Sequence, residues 1–99
     1  MALSIKKKGN RIIVTGTTST AVTITDKNTT IDGILWVDPS TAAHLVTLKD
    51  LDGDLLSQFY CVNAHVQQQI CDVNMNTNGI VIDDMDSGTI LIVLQGIGV

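Results

Sequence analysis

Turn-forming clusters recur at short intervals along this chain, and the apolar segments between them are too short for helices of ordinary length. The residue types inside those segments point the same way. Ile and Val are the commonest apolar residues, and there are twelve Thr. β-Branched side chains suit a pleated surface and lose rotamer freedom in a helix. All ten acidic residues are Asp, which favours turns, and the helix former Glu is absent. The pattern predicts an all-β fold: a single-domain antiparallel β-sandwich or jelly roll of about eight short strands.

The expected strands follow from the breaks. Ile12–Val14, flanked by Arg11 and Thr15, reads as the first, and Gly16-Thr17-Thr18-Ser19 as a turn. Thr20–Thr25 alternates, with Val22 and Ile24 on one face. Gly33–Val37 is a continuous apolar run stopped by Asp38-Pro39-Ser40. Leu45–Lys49 and Leu55–Val62 flank a hairpin turn at Asp50–Asp54, where Gly53 is free to take positive φ. Gln67–Met75 reads as a strand of uncertain register, and Ala64–Gln69 also suits a helical turn. Asn76-Thr77-Asn78-Gly79 is the clearest turn signal. Ile80–Ile82 is a strand, Asp83–Gly88 a turn and Thr89–Leu94 the last strand. That strand is apolar on both faces, which predicts a central position or a place against another subunit.

Ninety-nine residues fit one domain. A domain this small buries only about 60–65% of its unfolded surface, so it is marginal alone. Yet 44% of the residues are hydrophobic, and the mean hydropathy is +0.30. The expectation is a two-sheet core with apolar surface left over for another chain.

Charge divides the chain at residue 11. Lys6, Lys7, Lys8 and Arg11 are four of its six cations. Beyond them, two Lys stand against ten Asp, a balance of −8. Such a body repels nucleic acid, so no nucleic-acid partner is expected. Residues 1–11 read as a basic N-terminal arm and 12–99 as the β-sandwich domain. Leu3, Ile5, Lys6, Lys7, Lys8 and Arg11 are the candidate contact residues of that arm, with apolar anchors and cations for an acidic protein surface. No apolar run approaches the ~20 residues of a membrane span, and no signal-peptide pattern is visible, so the expectation is a soluble protein without a membrane partner.

Each chemical constellation fails a spacing or partner test. Asp50, Asp52 and Asp54 begin like a calcium loop, but glycine stands fourth rather than sixth and Cys61 holds the twelfth place. An Asp-rich hairpin turn is the expectation, with weak calcium contact left open. Cys61, His65, Cys71 and His44 offer soft ligands at spacings that match no structural zinc pattern. Cys61 and His65 lack an orienting third group for nucleophilic catalysis. Asp83, Asp84 and Asp86 supply paired carboxylates, but a chain this small builds no deep substrate cleft. No catalytic residue, metal or cofactor is expected, and no enzymatic activity. Trp36 reads as core, and one of Phe59 and Tyr60 as exposed.

Three segments carry a resemblance: Gly33–Val37, Leu45–Gly53 and Met85–Leu94. Over residues 31–94 the chain resembles the small β-proteins encoded in tailed-phage genomes. That resemblance implies a β-sandwich or jelly-roll decoration or cement protein of the capsid. Its partners would be the major capsid protein and further copies of itself, as a homotrimer. Its location would be the virion, after assembly in the host cytoplasm. The alternative is a carbohydrate- or host-surface-binding module of a tail or fibre, using Tyr60 or Phe59 and the Asp-rich turns.

Overall fold

The structure, a computed structural model, describes residues 3–70 and 74–95. It is all-β, with ten strands among the described residues. They are β1 (Ser4–Lys8), β2 (Arg11–Thr15), β3 (Val22–Thr25), β4 (Thr29–Val37) and β5 (Leu45–Lys49). Then follow β6 (Leu55–Tyr60), β7 (Gln68–Ile70), β8 (Met75–Thr77), β9 (Ile80–Met85) and β10 (Thr89–Leu94). Two antiparallel sheets pack face to face. Sheet A has the order β1-β2-β10-β4-β7, with β8 also paired to β4. Sheet B has the order β3-β9-β5-β6.

Two differences from the expected eight strands explain the count of ten. The stretch expected as one strand over Gln67–Met75 is two short ones, β7 and β8, which pair with opposite halves of β4. Residues 71–73, including Cys71, lie outside the described residues. The second difference is β1, because Ser4–Lys8 of the basic segment is hydrogen-bonded to β2 along its whole length.

Set β1 aside and treat β7 and β8 as one interrupted strand, and the pairing becomes nested. β5 pairs β6, β4 pairs β7 and β8, β3 pairs β9, and β2 pairs β10. This is one long antiparallel ribbon folded at Asp50–Asp54. Wrapping it over brings β10 against β4 and β9 against β5 and closes both sheets. That nesting is the jelly-roll form of the β-sandwich.

Several boundaries moved. β4 begins at Thr29 rather than Gly33, because Thr29–Ile31 gains a partner in β8. Asn76 and Thr77 belong to β8, so the turn there is reduced to Asn78-Gly79. β9 runs on to Met85 and takes the first half of the expected Asp83–Gly88 turn. No helical turn forms over Ala64–Gln69, which is loop until β7 starts at Gln68.

The core follows from alternation. Ile12, Val14, Ile34, Trp36, Ile90 and Ile92 of sheet A meet Ile24, Val46, Leu48, Phe59, Ile80 and Ile82 of sheet B. Trp36 is fully buried, stacks on Phe59 with ring centroids 6.5 Å apart, and donates its Nε1–H to the Ser87 carbonyl at 2.8 Å. No buried side-chain polar atom among the described residues lacks a partner. Gly88 makes the approach to Trp36 possible. Its φ is +80°, and a Cβ there would stand 2.7 Å from the Val37 carbonyl oxygen. A side chain at this position meets both backbone strain and a clash.

Candidate interaction surface

The outer face of sheet A is built by the same alternation that fills the core. Lys6, Ile13, Leu91, Leu35 and Gln69 stand directly opposite one another across β1, β2, β10, β4 and β7. Directly opposed residues share a face. Ile12, Val14, Ile34, Trp36, Ile90 and Ile92 point inward and are buried, so the Ile13–Leu91–Leu35 row points outward. Val93 and Val37 lie one pleat to either side, opposite Arg11 and Gly33 and opposite Thr89. All five apolar side chains are only half-buried, and no strand of the described chain covers them. β10 is therefore central within its own sheet and also apolar on its open face.

Cations edge this apolar row on one side. Lys6, Lys8 and Arg11 share its face through the register Lys6–Ile13 and Lys8–Arg11. All of β1 is exposed, because the four strands of sheet B do not reach far enough to cover it. Ile5 and Lys7 therefore point to the core side but remain in solvent. Leu3 differs from the other candidate contacts, for it packs against the protein's own core. The lysines also guard the free edge of sheet A, where open backbone groups would otherwise invite unspecific pairing.

The outer face of sheet B has another chemistry. Gln58 donates to Thr47 Oγ1 at 2.9 Å, and Lys49 pairs with Asp83 at 3.3 Å. Tyr60 is the exposed member of the aromatic pair at 52%, against 6% for Phe59. Tyr60, Val62 and Val66 are exposed along β6 and the loop after it. Asp84 lies opposite Thr47 on the same sheet. Its carboxyl is pushed above the ordinary 3.8, first by partial desolvation and then by the charge of Asp86. The folded state thus holds the Asp84 proton more tightly than the unfolded chain does. Its contribution to stability is present at low pH and is lost as pH rises through the raised value. Asp84→Asn is expected to be more stable than the parent at neutral pH and to flatten the loss of stability just above pH 4. Urea midpoints measured from pH 3 to 7 check this.

Among the described residues the soft ligands form no group of three that could share a metal. His44 Nδ1 is hydrogen-bonded to Ser87 Oγ at 2.8 Å, and His65 pairs with Asp38. Cys61 is buried, with its Sγ directed at the Asn63 carbonyl. Cys71 is outside the described residues. Asp50, Asp52 and Asp54 do converge, with carboxylate oxygens within 4.8 Å of one another. Their hydrogen bonds are those of a turn. Asp50 Oδ1 accepts from the backbone N–H of Asp52 and of Asp54, both at 2.9 Å, and Gly53 takes φ +88°. Asn78 ties this turn down, accepting from the Leu51 N–H at 2.9 Å and donating to Asp52 Oδ2 at 3.0 Å.

One feature escaped the sequence reading. A cleft of about 800 Å³ opens where the turn before β4, the start of β4, β8 and the end of β10 meet. Asn28, Asn76, Asn78 and Gln95 line it, together with Thr29, Thr30 and Thr77. The available signal was the pair of short motifs Asn28-Thr29-Thr30 and Asn76-Thr77-Asn78, which register pairing sets side by side.

Comparison of the chain with protein-family models, with curated proteins and with solved structures finds no match. Fold and surface together define the class: a small jelly-roll β-sandwich with an apolar, cation-edged outer face on sheet A and a mixed surface at sheet B, where polar pairs adjoin exposed Leu55, Tyr60 and Val62.

Proposed function

We propose that this chain is a structural virion protein of the capsid-decoration type, which stabilises a phage head through protein–protein contacts. The observation that carries the reading is the open face of sheet A. Ile13, Leu91 and Leu35 form an apolar row across its three central strands, and Lys6, Lys8 and Arg11 stand on the same face. Such a face suits a flat, acidic protein surface: the apolar row supplies burial, and the cations steer and orient the approach. The jelly roll agrees with this role without requiring it, since capsid and lectin domains both use that form. The partner is the major capsid protein, and further copies of the chain join as a homotrimer.

Co-sedimentation with assembled heads tests the reading, beside light-scattering mass in solution. The expected result is saturable binding that weakens with salt, and a mass above that of one chain. A strictly monomeric mass with no binding to heads at low salt would remove the proposal.

A further inference from the structure

We infer that the cleft between the turn before β4, β8 and the end of β10 is a binding site for a neutral, polyhydroxylated ligand, a glycan in chemical class. It lies at the β8 end of sheet A, shares no residue with the Ile13–Leu91–Leu35 row and stands without it.

The chemistry of the lining carries this. Four carboxamides and three threonines surround a cleft of about 800 Å³, and among the described residues neither a charged side chain nor a ring lines it. That volume lies in the usual range for small-molecule sites, about 300–1,000 Å³. A carboxamide presents a donor and an acceptor in one plane, which matches the paired hydroxyls of a sugar. Threonine methyls add small apolar contacts for the C–H faces. With no cation among the described lining residues, a phosphate or carboxylate meets only neutral donors there and gains no ion pair.

Several groups are held in place before any ligand arrives. Thr30 Oγ1 donates to Asn76 Oδ1 at 2.6 Å, which fixes that amide and turns its Nδ2 donors away from the bond. Asn78 is held at both ends by Leu51 and Asp52. Thr77 Oγ1 donates to the Gly79 carbonyl at 2.6 Å, and Thr29 Oγ1 to the Lys27 carbonyl at 2.9 Å. The Asn28 side chain is exposed at the rim and bonds to no other described residue. Gln95 Nε2 donates to Asn74 Oδ1 at 2.9 Å, which leaves its Oε1. Asn28, Asn76 Nδ2 and Gln95 Oε1 are therefore the amide groups left to meet a ligand. Without a ring to stack on, one site holds its ligand weakly, with Kd on the order of 1 mM. Many copies on one particle would multiply that grip.

The test is a two-dimensional amide NMR titration of the full chain with lactose, maltose, cellobiose and N,N′-diacetylchitobiose. Inorganic phosphate and N-acetylneuraminic acid serve as anionic controls. At least one neutral disaccharide should give saturable shifts centred on the Asn28 and Asn76 side-chain amides and on the backbone of residues 28–30 and 76–78. Asn76→Asp keeps the acceptor for Thr30 but loses the donors, and should weaken that binding about tenfold. Asn28→Ala, a rim change, should also weaken it. The inference fails if no neutral sugar shifts these amides saturably up to its solubility. It also fails if an anionic control shifts them more strongly, or if the strongest shifts fall on another surface. Head binding is measured separately, so either proposal can fail without the other.

Discussion

Replacing Trp36 with alanine is expected to cost about 3–5 kcal/mol of folding stability, the usual range for deleting a large buried aromatic. The whole stability of a domain this size is about 5–15 kcal/mol, so much of the fold's margin disappears. The cost has two parts. The indole is fully buried at the centre of the two-sheet core, stacked on Phe59. It also satisfies the Ser87 carbonyl, which positions the turn into β10. Trp36→Phe separates the parts, because it keeps most of the packing but orphans that carbonyl, at about 1–3 kcal/mol. Urea unfolding followed by circular dichroism measures both, since Trp36 is the chain's one tryptophan and its fluorescence is lost in either variant. Equal costs for the two variants would show that the hydrogen bond, and not the packing, dominates.

The second large effect is on binding. Leu91→Asp is expected to abolish attachment to heads, by at least about a hundredfold, while leaving the fold intact. Leu91 sits at the middle of the outward row, with Ile13 on one side and Leu35 on the other. A central contact of this kind typically carries 2 kcal/mol or more of binding energy, and a carboxylate buried unpaired adds to the loss. Within the free protein the change costs about 1–2 kcal/mol, because strand propensity spans about 1 kcal/mol and Leu91 is half-buried. Gln58→Glu, at an exposed position on the outer face of sheet B, is the control and should leave attachment unchanged. Equal loss from both variants would mean that the sheet A face is not the contact.

What could be read from the residues alone was whatever is local. Alternation and turn chemistry placed Ile12–Val14, Leu45–Lys49 and Thr89–Leu94 correctly, because strand period and stop signals are written in adjacent residues. The Asp50–Asp54 hairpin was legible for the same reason. Trp36 was placed in the core from its apolar neighbours, and the split between Phe59 and Tyr60 followed from the pleat. The misses depended on distant partners. Thr29–Ile31 is polar enough to read as loop, and is strand only because β8 lies beside it. Ser4–Lys8 has the composition of a solvated tail, and is strand because β2 offers a free edge. The cleft was invisible because two Asn/Thr motifs far apart in sequence form it together.

The nested ribbon also orders the way the chain folds. The innermost ladder joins Lys49 to Leu55 across the Asp-rich turn, while the outermost sets Thr15 opposite Thr89, 74 residues apart. Closing the outer loop from the unfolded chain costs about 2 kcal/mol more entropy than closing the inner one. Each inner ladder that forms first shortens the loop the next must close, so pairing spreads outward from Asp50 like a zip. Asp50→Ala should therefore slow refolding, while Thr89→Ala should chiefly speed unfolding, as stopped-flow measurements on the two variants would show. The acidic turn that first suggested calcium would then matter most before the protein has a surface at all.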